Sequence, residues 1–215
     1  IKKKLNEDKD KSYKINQVLT NLASLAIADQ INDIDDIEKA ASFLVKKKDI
    51  IVVLGTGGSN LGARALVNIL QGNVLKKINF FDNIDPIQFR NSIIKYDIER
   101  TGFIIISKSG YTAETLSQFS SIIEIIKSKN FTQELLKEFI IITENKNSPL
   151  KQMANQFQCQ TLDHEKNIGG RYSVFSNVGL LPARIAGIDI SRVRSGANEI
   201  ISKMQKGSFE EHLIG

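Results

Sequence analysis

The sequence predicts an α/β fold in which a doubly wound, five-stranded parallel sheet follows an N-terminal helical segment. Five short apolar runs, the last of them weaker, occur after residue 49, and their apolarity is continuous rather than alternating, which indicates strands with both faces covered. Segments with apolar residues at helical spacing separate these runs. Regular alternation of strand and helix is typical of a parallel sheet with helices on both faces.

The N-terminal segment is predicted to be helical because apolar residues recur at helical spacing in 18–26 and again in 37–45. Asp35 and Asp36 are the expected caps of the second helix, and the lysines of 46–48 suit the negative end of its dipole. We therefore divide the chain into a helical segment, a sheet domain and a further helix: residues 1–48, 49–190 and 191–215.

Strands and helices are expected to alternate through the sheet domain. The predicted strands are 50–54, 78–81, 103–106, 139–142 and a weaker 159–162, and the predicted helices are 61–71, 86–95, 112–128 and 148–157. We expect the strand order 2-1-3-4-5, with right-handed crossovers. That order places the loops after the first and third strands side by side at the switch point, where one ligand can contact both.

Composition argues against several classes of function. The net charge of +5 comes mostly from lysines interspersed with Asp and Glu, so no nucleic-acid surface is expected. No run approaches the roughly 18 apolar residues of a membrane span, and the charged start lacks a secretory pattern, so a cytoplasmic location is expected. Cys159, His164 and His212 have no partners at metal-ligand spacing, and no metal or internal disulfide is expected.

The loop after the first strand is rich in glycine, from Gly55 through Gly58 to Gly62. Glycines let the backbone approach a ligand, and the helix that begins here offers unpaired N–H groups. A tight turn without a ligand is one alternative. A dinucleotide site with Asp82 on the ribose is another, but Asn60 stands where that fingerprint needs Gly or Ala. We therefore expect no nicotinamide cofactor.

The loop after the third strand combines short hydroxyls and a lysine at the start of a helix. Ser107, Lys108, Ser109 and Thr112 fall within six positions, which suits a phosphate. The spacing of a Walker loop is absent. In the alternative interpretation Thr112 is a plain helix cap, and Ser107 and Ser109 are turn residues.

A third loop, Gly169-Gly170-Arg171, precedes the apolar helix that runs on from Ser176. The glycine pair would permit an unusual backbone path that aims Arg171 inward, where a planar cation stabilises developing negative charge. The alternative is that Arg171 forms a surface ion pair.

Taken together, the three loops resemble glucose-6-phosphate isomerases, which are built from two sugar-isomerase (SIS) domains. The matching segments are Gly57 to Gly62, Ser107 to Thr115, and Gly169 to Ser173 with its continuation to Asp189. The third segment is the most specific, since other SIS proteins share the serine-rich loop. The resemblance extends over about residues 50–190 and implies that residues 49–190 form a SIS sugar-phosphate-binding domain.

The resemblance also implies roles for single residues. Gly58 and Ser59 would contact the sugar, and the residues implied to bind its phosphate are Ser107, Lys108, Ser109 and Thr112. Arg171 corresponds to the arginine that supports the enediol intermediate and is the one catalytic residue assigned. Glu114 is interpreted as favouring the helix N-terminus and orienting its neighbours.

The implied reaction interconverts glucose 6-phosphate and fructose 6-phosphate without a cofactor, through a cis-enediol. It needs a glutamate base and a histidine from the partner subunit of a homodimer, and both are expected beyond Gly215. Glu210 and His212 lack the flanking motif, so residues 1–215 alone are expected to be inactive. The alternative function is a non-catalytic SIS domain that senses a sugar phosphate.

Overall fold

A five-stranded sheet lies at the centre of the computed structural model, which describes residues 22–70, 73–129 and 131–206. All its pairings are parallel, and its order is β2-β1-β3-β4-β5. The strands are β1 Ile50–Leu54, β2 Lys77–Phe81, β3 Thr101–Ile106, β4 Ile140–Thr143 and β5 Gln160–Asp163. The predicted fold class and strand order are confirmed.

Helices connect and flank these strands. They are α1 Ala23–Ala26, α2 Ile34–Lys47, α3 Gly58–Ile69, α4 Pro86–Ile93, α5 Ala113–Ser128, α6 Pro149–Gln156, α7 Asn177–Ala186 and α8 Ile190–Lys206. Short 3-10 turns occupy Ile27–Asp29, Gln133–Glu138 and Gly170–Tyr172. The predicted helices between the strands are confirmed to within one turn. The expected helix before residue 22 lies outside the described residues. No helix in the described ranges is long and apolar enough to cross a bilayer.

Two apolar clusters cover the two faces of the sheet, because alternate residues of each strand point to opposite sides. Ile51 and Val53 face the cluster that includes α2 and α7, whereas Val52 and Leu54 face the cluster formed with α4, α5 and α6. All four side chains are fully buried. Burial on both faces explains the continuous apolar runs of β1, β3 and β4, whereas β2 is half-buried and β5, at the edge of the sheet, is largely exposed.

The start of α2 differs from the prediction. Asp33, and not Asp35 or Asp36, lies at the N-cap, and its side chain makes no capping hydrogen bond. The Asp33 carboxylate is instead held by Arg194 of α8, at 2.5 and 2.6 Å, and Arg194 is buried. A bidentate pair of this kind makes two charge-assisted hydrogen bonds to one guanidinium, where a capping carboxylate typically makes one to a backbone N–H. Asp35 and Asp36 lie in the first turn, where they still favour the positive end of the helix dipole.

Candidate functional site

Three loops at the carboxyl edge of the sheet carry the candidate site residues. We name them the glycine loop (residues 55–58, after β1), the hydroxyl loop (107–112, after β3) and the arginine loop (164–173, after β5). Strands β1 and β3 are neighbours, so the first two loops start side by side. Strand β5 lies farther along the sheet. The arginine loop therefore returns along this edge to contact the glycine loop.

The hydroxyl loop brings its short side chains together at the start of α5. Ser107 Oγ lies 2.7 Å from Thr112 Oγ1 and accepts a hydrogen bond from the amide of Gly110. Ser109 Oγ accepts one from the amide of Tyr111, as a turn residue does. Thr112 is at the N-cap, but its hydroxyl makes no capping bond. The first N–H groups of a 16-residue helix thus lie beside this cluster, an arrangement that favours an anion.

Gly110 fixes the shape of the hydroxyl loop. Its φ of +71° is in the left-handed region, and an added Cβ would lie 2.6 Å from Ser148 Cβ. Ser148 is the N-cap of α6, and Leu150 donates its amide to the Gly110 carbonyl. The loop is therefore packed against the start of α6. The only signal for this position in the sequence is the glycine itself, which permits the left-handed conformation.

The glycine loop makes a close backbone contact with the arginine loop. A Cβ on Gly58 would lie 2.5 Å from the amide nitrogen of Arg171 and still closer to the carbonyl group of Gly170. Only a glycine at position 58 permits this contact. Ser59, the next predicted ligand, is half-buried in the first turn of α3. Buried Asn60 donates its side-chain amide to the Gly55 carbonyl and so supports the turn.

The arginine loop differs from the prediction in its backbone. Gly169 has φ −66°, and Gly170 lies in an ordinary 3-10 turn, so neither glycine uses a conformation reserved for glycine. The turn is held instead by Ser173, which is buried and donates its hydroxyl to the Gly170 carbonyl at 2.7 Å. Arg171 is exposed and takes part in no ion pair formed within the described residues. The alternative interpretation of a surface ion pair therefore has no support there.

The amino group of Lys108 reaches the arginine loop. It donates to the carbonyl oxygens of Lys166, at 2.8 Å, and Ile168, at 2.9 Å, and lies 3.6 Å from Glu144. The pKa of Glu144 is lowered, chiefly by a hydrogen bond from Lys146 and further by the positive charge of Lys108. Glu144 is thus a stable counter-ion for both lysines.

Buried polar atoms also lie on the helices around the site. Asn60 Oδ1, Thr115 Oγ1 and Gln118 Oε1 have no hydrogen-bond partner within the described residues. The Gln118 amide group donates to the carbonyl of Asn83, in the loop after β2. Asp82, considered above as a ribose ligand, lies 3.4 Å from Arg64 and is partly neutralised by it. Thr115 and Gln118 were not singled out from sequence, because a single hydroxyl or amide on a helix carries no pattern.

Two titratable side chains near β5 are poorly suited to acid–base or nucleophilic chemistry. Burial raises the pKa of the Cys159 thiol to about 12. Burial also shifts the pKa of His164, in this case downward. The hydrogen bond from its Nδ1–H to the Glu165 carbonyl acts in the opposite direction and raises this pKa. Lys108 lowers the His164 pKa further. No group of three or more His, Cys, Asp or Glu side chains suited to a metal ion occurs in the part of the chain that the structure describes.

We predict that His164 makes the folded state less stable in mild acid. The unfolded imidazole binds a proton near pH 6.5, whereas the folded one does so only at lower pH. The stability is therefore complete above the unfolded pKa and is lost as the pH falls below it, by at most about 1.4 kcal/mol per pH unit. Unfolding free energies from urea titrations between pH 8 and 5 measure this slope. His164→Phe should flatten it, and an unchanged slope would contradict the assignment.

The parallel sheet, its strand order and the loops at its carboxyl edge define a doubly wound α/β domain. The chain belongs to the phosphoglucose isomerase family, because the family model described as phosphoglucose isomerase matches residues 7–213. The glucose-6-phosphate isomerase of Carboxydothermus hydrogenoformans is 36% identical over 196 residues, which are 85% of this chain and 41% of that protein. The probable glucose-6-phosphate isomerase of Methanococcus maripaludis is 31% identical over 92% of this chain and 46% of its own length. The chain thus spans less than half the length of these relatives.

Solved structures share the fold. A glucose-6-phosphate isomerase from Chlamydia trachomatis has a TM-score of 0.69 at 27% identity over 80% of this chain and 34% of its own. A hypothetical protein from Thermus thermophilus has a TM-score of 0.81 at 24% identity over 97% of this chain and 50% of its own. Tagatose-6-phosphate ketose/aldose isomerase from Escherichia coli shares the fold, with a TM-score of 0.58. It is 16% identical over 87% of this chain and 52% of its own.

Proposed function

We propose that the three loops bind a sugar phosphate and that residues 1–215 supply the phosphate-binding domain of an isomerase acting on glucose 6-phosphate and fructose 6-phosphate. One observation carries the proposal. A hydroxyl cluster lies at the start of the long helix α5, and an arginine-bearing turn packs on the adjacent glycine loop. Together these features offer a phosphate site and a cation for the reacting end of the sugar. Membership of the phosphoglucose isomerase family supports the choice of substrate.

In this proposal the phosphate lies on the hydroxyl loop. The hydroxyls of Ser107, Ser109 and Thr112 line this site: Ser109 donates to the phosphate oxygens, as does one hydroxyl of the Ser107–Thr112 pair, while the other donates within the pair. The unpaired N–H groups of α5 add the positive end of the helix dipole. The main-chain N–H of Lys108, which lies between the two serines, is a further donor. No metal is needed, because the helix end and the hydroxyls supply the hydrogen bonds that a phosphate requires.

The sugar would extend from the phosphate towards the glycine and arginine loops. Gly58 and Ser59 would contact its hydroxyl groups from the start of α3. Arg171 would stabilise the negative charge that develops on the enediol oxygens as the proton moves between C1 and C2. Its planar guanidinium can donate to two oxygens together, which suits a cis-enediol.

The proton itself needs a base of suitable pKa within hydrogen-bond reach. Glu144 is a poor choice, because its pKa is lowered and its carboxylate contacts Lys146 and Lys108. We propose that a glutamate outside residues 1–215 is the base and that a histidine from the partner subunit assists ring opening. The working protein would then be a cytoplasmic homodimer. Glu210 and His212, which we do not assign, lie outside the described residues.

The alternative is a non-catalytic domain that senses a sugar phosphate. It uses the same hydroxyl loop but needs no cation at the reacting end of the sugar. The close fit between Gly58 and the arginine turn favours the isomerase, since a sensor has no use for it. The family match adds nothing in favour of the sensor.

We predict that glucose 6-phosphate binds the natural protein in EDTA, whereas glucose binds on the order of a hundredfold or more weakly. The difference follows because hydrogen bonds to a charged group contribute about 1.5–3 kcal/mol each. Titration calorimetry with both sugars measures it. A coupled assay of fructose 6-phosphate conversion then separates isomerase from sensor, since a sensor binds without turnover. Equal affinity for the two sugars would refute the phosphate site.

A further inference from the structure

We infer that the side chain of Lys108 positions the arginine loop and does not bind the phosphate through its amino group. Lys108 lies between Ser107 and Ser109 in the hydroxyl loop, yet its amino group ends on the arginine loop. The part of the inference that concerns turnover rests on the proposed function. Its structural part concerns only contacts within this chain.

Most of the hydrogen-bonding capacity of the Lys108 ammonium is already used. An ammonium has three N–H donors. Two of them go to the carbonyls of Lys166 and Ile168, at 2.8 and 2.9 Å, and Glu144 Oε1 lies 3.6 Å away as a counter-ion. A phosphate that drew this ammonium away from the arginine loop would break two charge-assisted hydrogen bonds and separate the ammonium from its counter-ion. Hydroxyls and main-chain N–H groups bind the phosphate without that loss.

The two carbonyls belong to the segment that leads directly into Arg171. Ile168 is buried, whereas Lys166, Asn167 and Gly169 are exposed. After these residues, the Tyr172 amide bonds to the Gly169 carbonyl and closes the 3-10 turn that presents the guanidinium. The amino group of Lys108 therefore holds the start of the arginine turn, while Gly58 limits its other side.

This arrangement couples the two ends of the substrate. The serines on either side of Lys108 would bind the phosphate, and the lysine between them holds the turn that carries Arg171. A shift of the hydroxyl loop on binding phosphate would therefore reach Arg171 through the Lys108 side chain. Lys108 is thus a positioning residue that aligns the reacting end of the site with the phosphate end.

The test replaces Lys108 with methionine in the protein at its full natural length. Methionine keeps an unbranched chain but removes the donors and the charge. We expect kcat for fructose 6-phosphate to fall about tenfold to a hundredfold, because small displacements of a catalytic group are costly. The KM and the affinity for inorganic phosphate should stay within about threefold of the wild type. Hydrogen exchange at the amides of Tyr172 and Ser173 should become faster.

Lys146→Met is the matched control. Lys146 also pairs with Glu144, at 2.5 Å, but makes no hydrogen bond to the arginine loop. It should leave kcat and the exchange of Tyr172 and Ser173 close to wild type. A raised KM with retained kcat in Lys108→Met would overturn the inference and assign the amino group to the phosphate. If the wild type proves not to isomerise the sugar, the proposed function fails, and unchanged exchange at Tyr172 and Ser173 would still overturn the positioning role.

Discussion

Arg171→Lys should lower kcat for fructose 6-phosphate by about a hundredfold to a thousandfold, the range found when one donor to a developing oxyanion is removed. The KM should change much less, because the proposed phosphate contacts of the hydroxyl loop remain. Lysine keeps the charge but replaces a planar fork of donors with a single ammonium. An interaction made mainly in the transition state affects turnover more than ground-state binding.

A coupled assay with purified full-length protein measures both constants. Arg90→Lys is the matched control, since Arg90 is exposed in the last turn of α4, whose C-terminal end lies away from the carboxyl edge of the sheet. It should leave both constants unchanged. A rise in KM with kcat retained in Arg171→Lys would show that the guanidinium binds the substrate uniformly and has no special role in the transition state.

The sequence predicts the sheet well, for a physical reason. Strands buried on both faces are apolar at most positions, so runs such as 50–54 and 103–106 stand out without knowledge of their neighbours. Glycine and hydroxyl residues after the strands mark the loops at the carboxyl edge. The strand order follows from the need to bring two of these loops to one ligand.

The contacts between loops could not be predicted in the same way. Lys108 and the carbonyls of Lys166 and Ile168 are about sixty residues apart, and a carbonyl group carries no sequence signal. The sequence suggested that the Gly169-Gly170 pair adopts an unusual backbone, but both residues have ordinary dihedral angles. The requirement for glycine falls on the facing residue, Gly58, and only the three-dimensional packing reveals it.

The prediction of the α2 cap was wrong for a similar reason. From local sequence, Asp35 and Asp36 are good caps, and Asp33 has the same chemistry. Arg194 of α8 decides the outcome, because it binds the Asp33 carboxylate and the Gln30 and Phe175 carbonyls. A helix start set by a residue more than 150 positions away cannot be located from a local window.

Gly58→Ala should lower kcat/KM by about a hundredfold or more, because the new Cβ would overlap the backbone of the arginine loop. It would lie 2.5 Å from the Arg171 amide nitrogen, and real Cβ atoms essentially never come within 3.0 Å of another atom. The glycine and arginine loops must separate, and a displacement near 1 Å costs about a hundredfold. The fold should survive, since overpacking typically costs about 1–3 kcal/mol.

Two alanine controls make this test specific to the contact. A Cβ on Gly170, on the other side of the same contact, would lie 3.9 Å from Gly58 Cα, so Gly170→Ala should lose much less activity. A Cβ on Gly196, in α8, meets nothing within 4 Å and should be neutral in the assay. Thermal unfolding of all three variants separates a loss of folding from a displaced loop. The overlap between the new Cβ and the backbone of the arginine loop forces the two loops apart in Gly58→Ala. Full activity in this variant would therefore show that the glycine and arginine loops do not act together on the substrate.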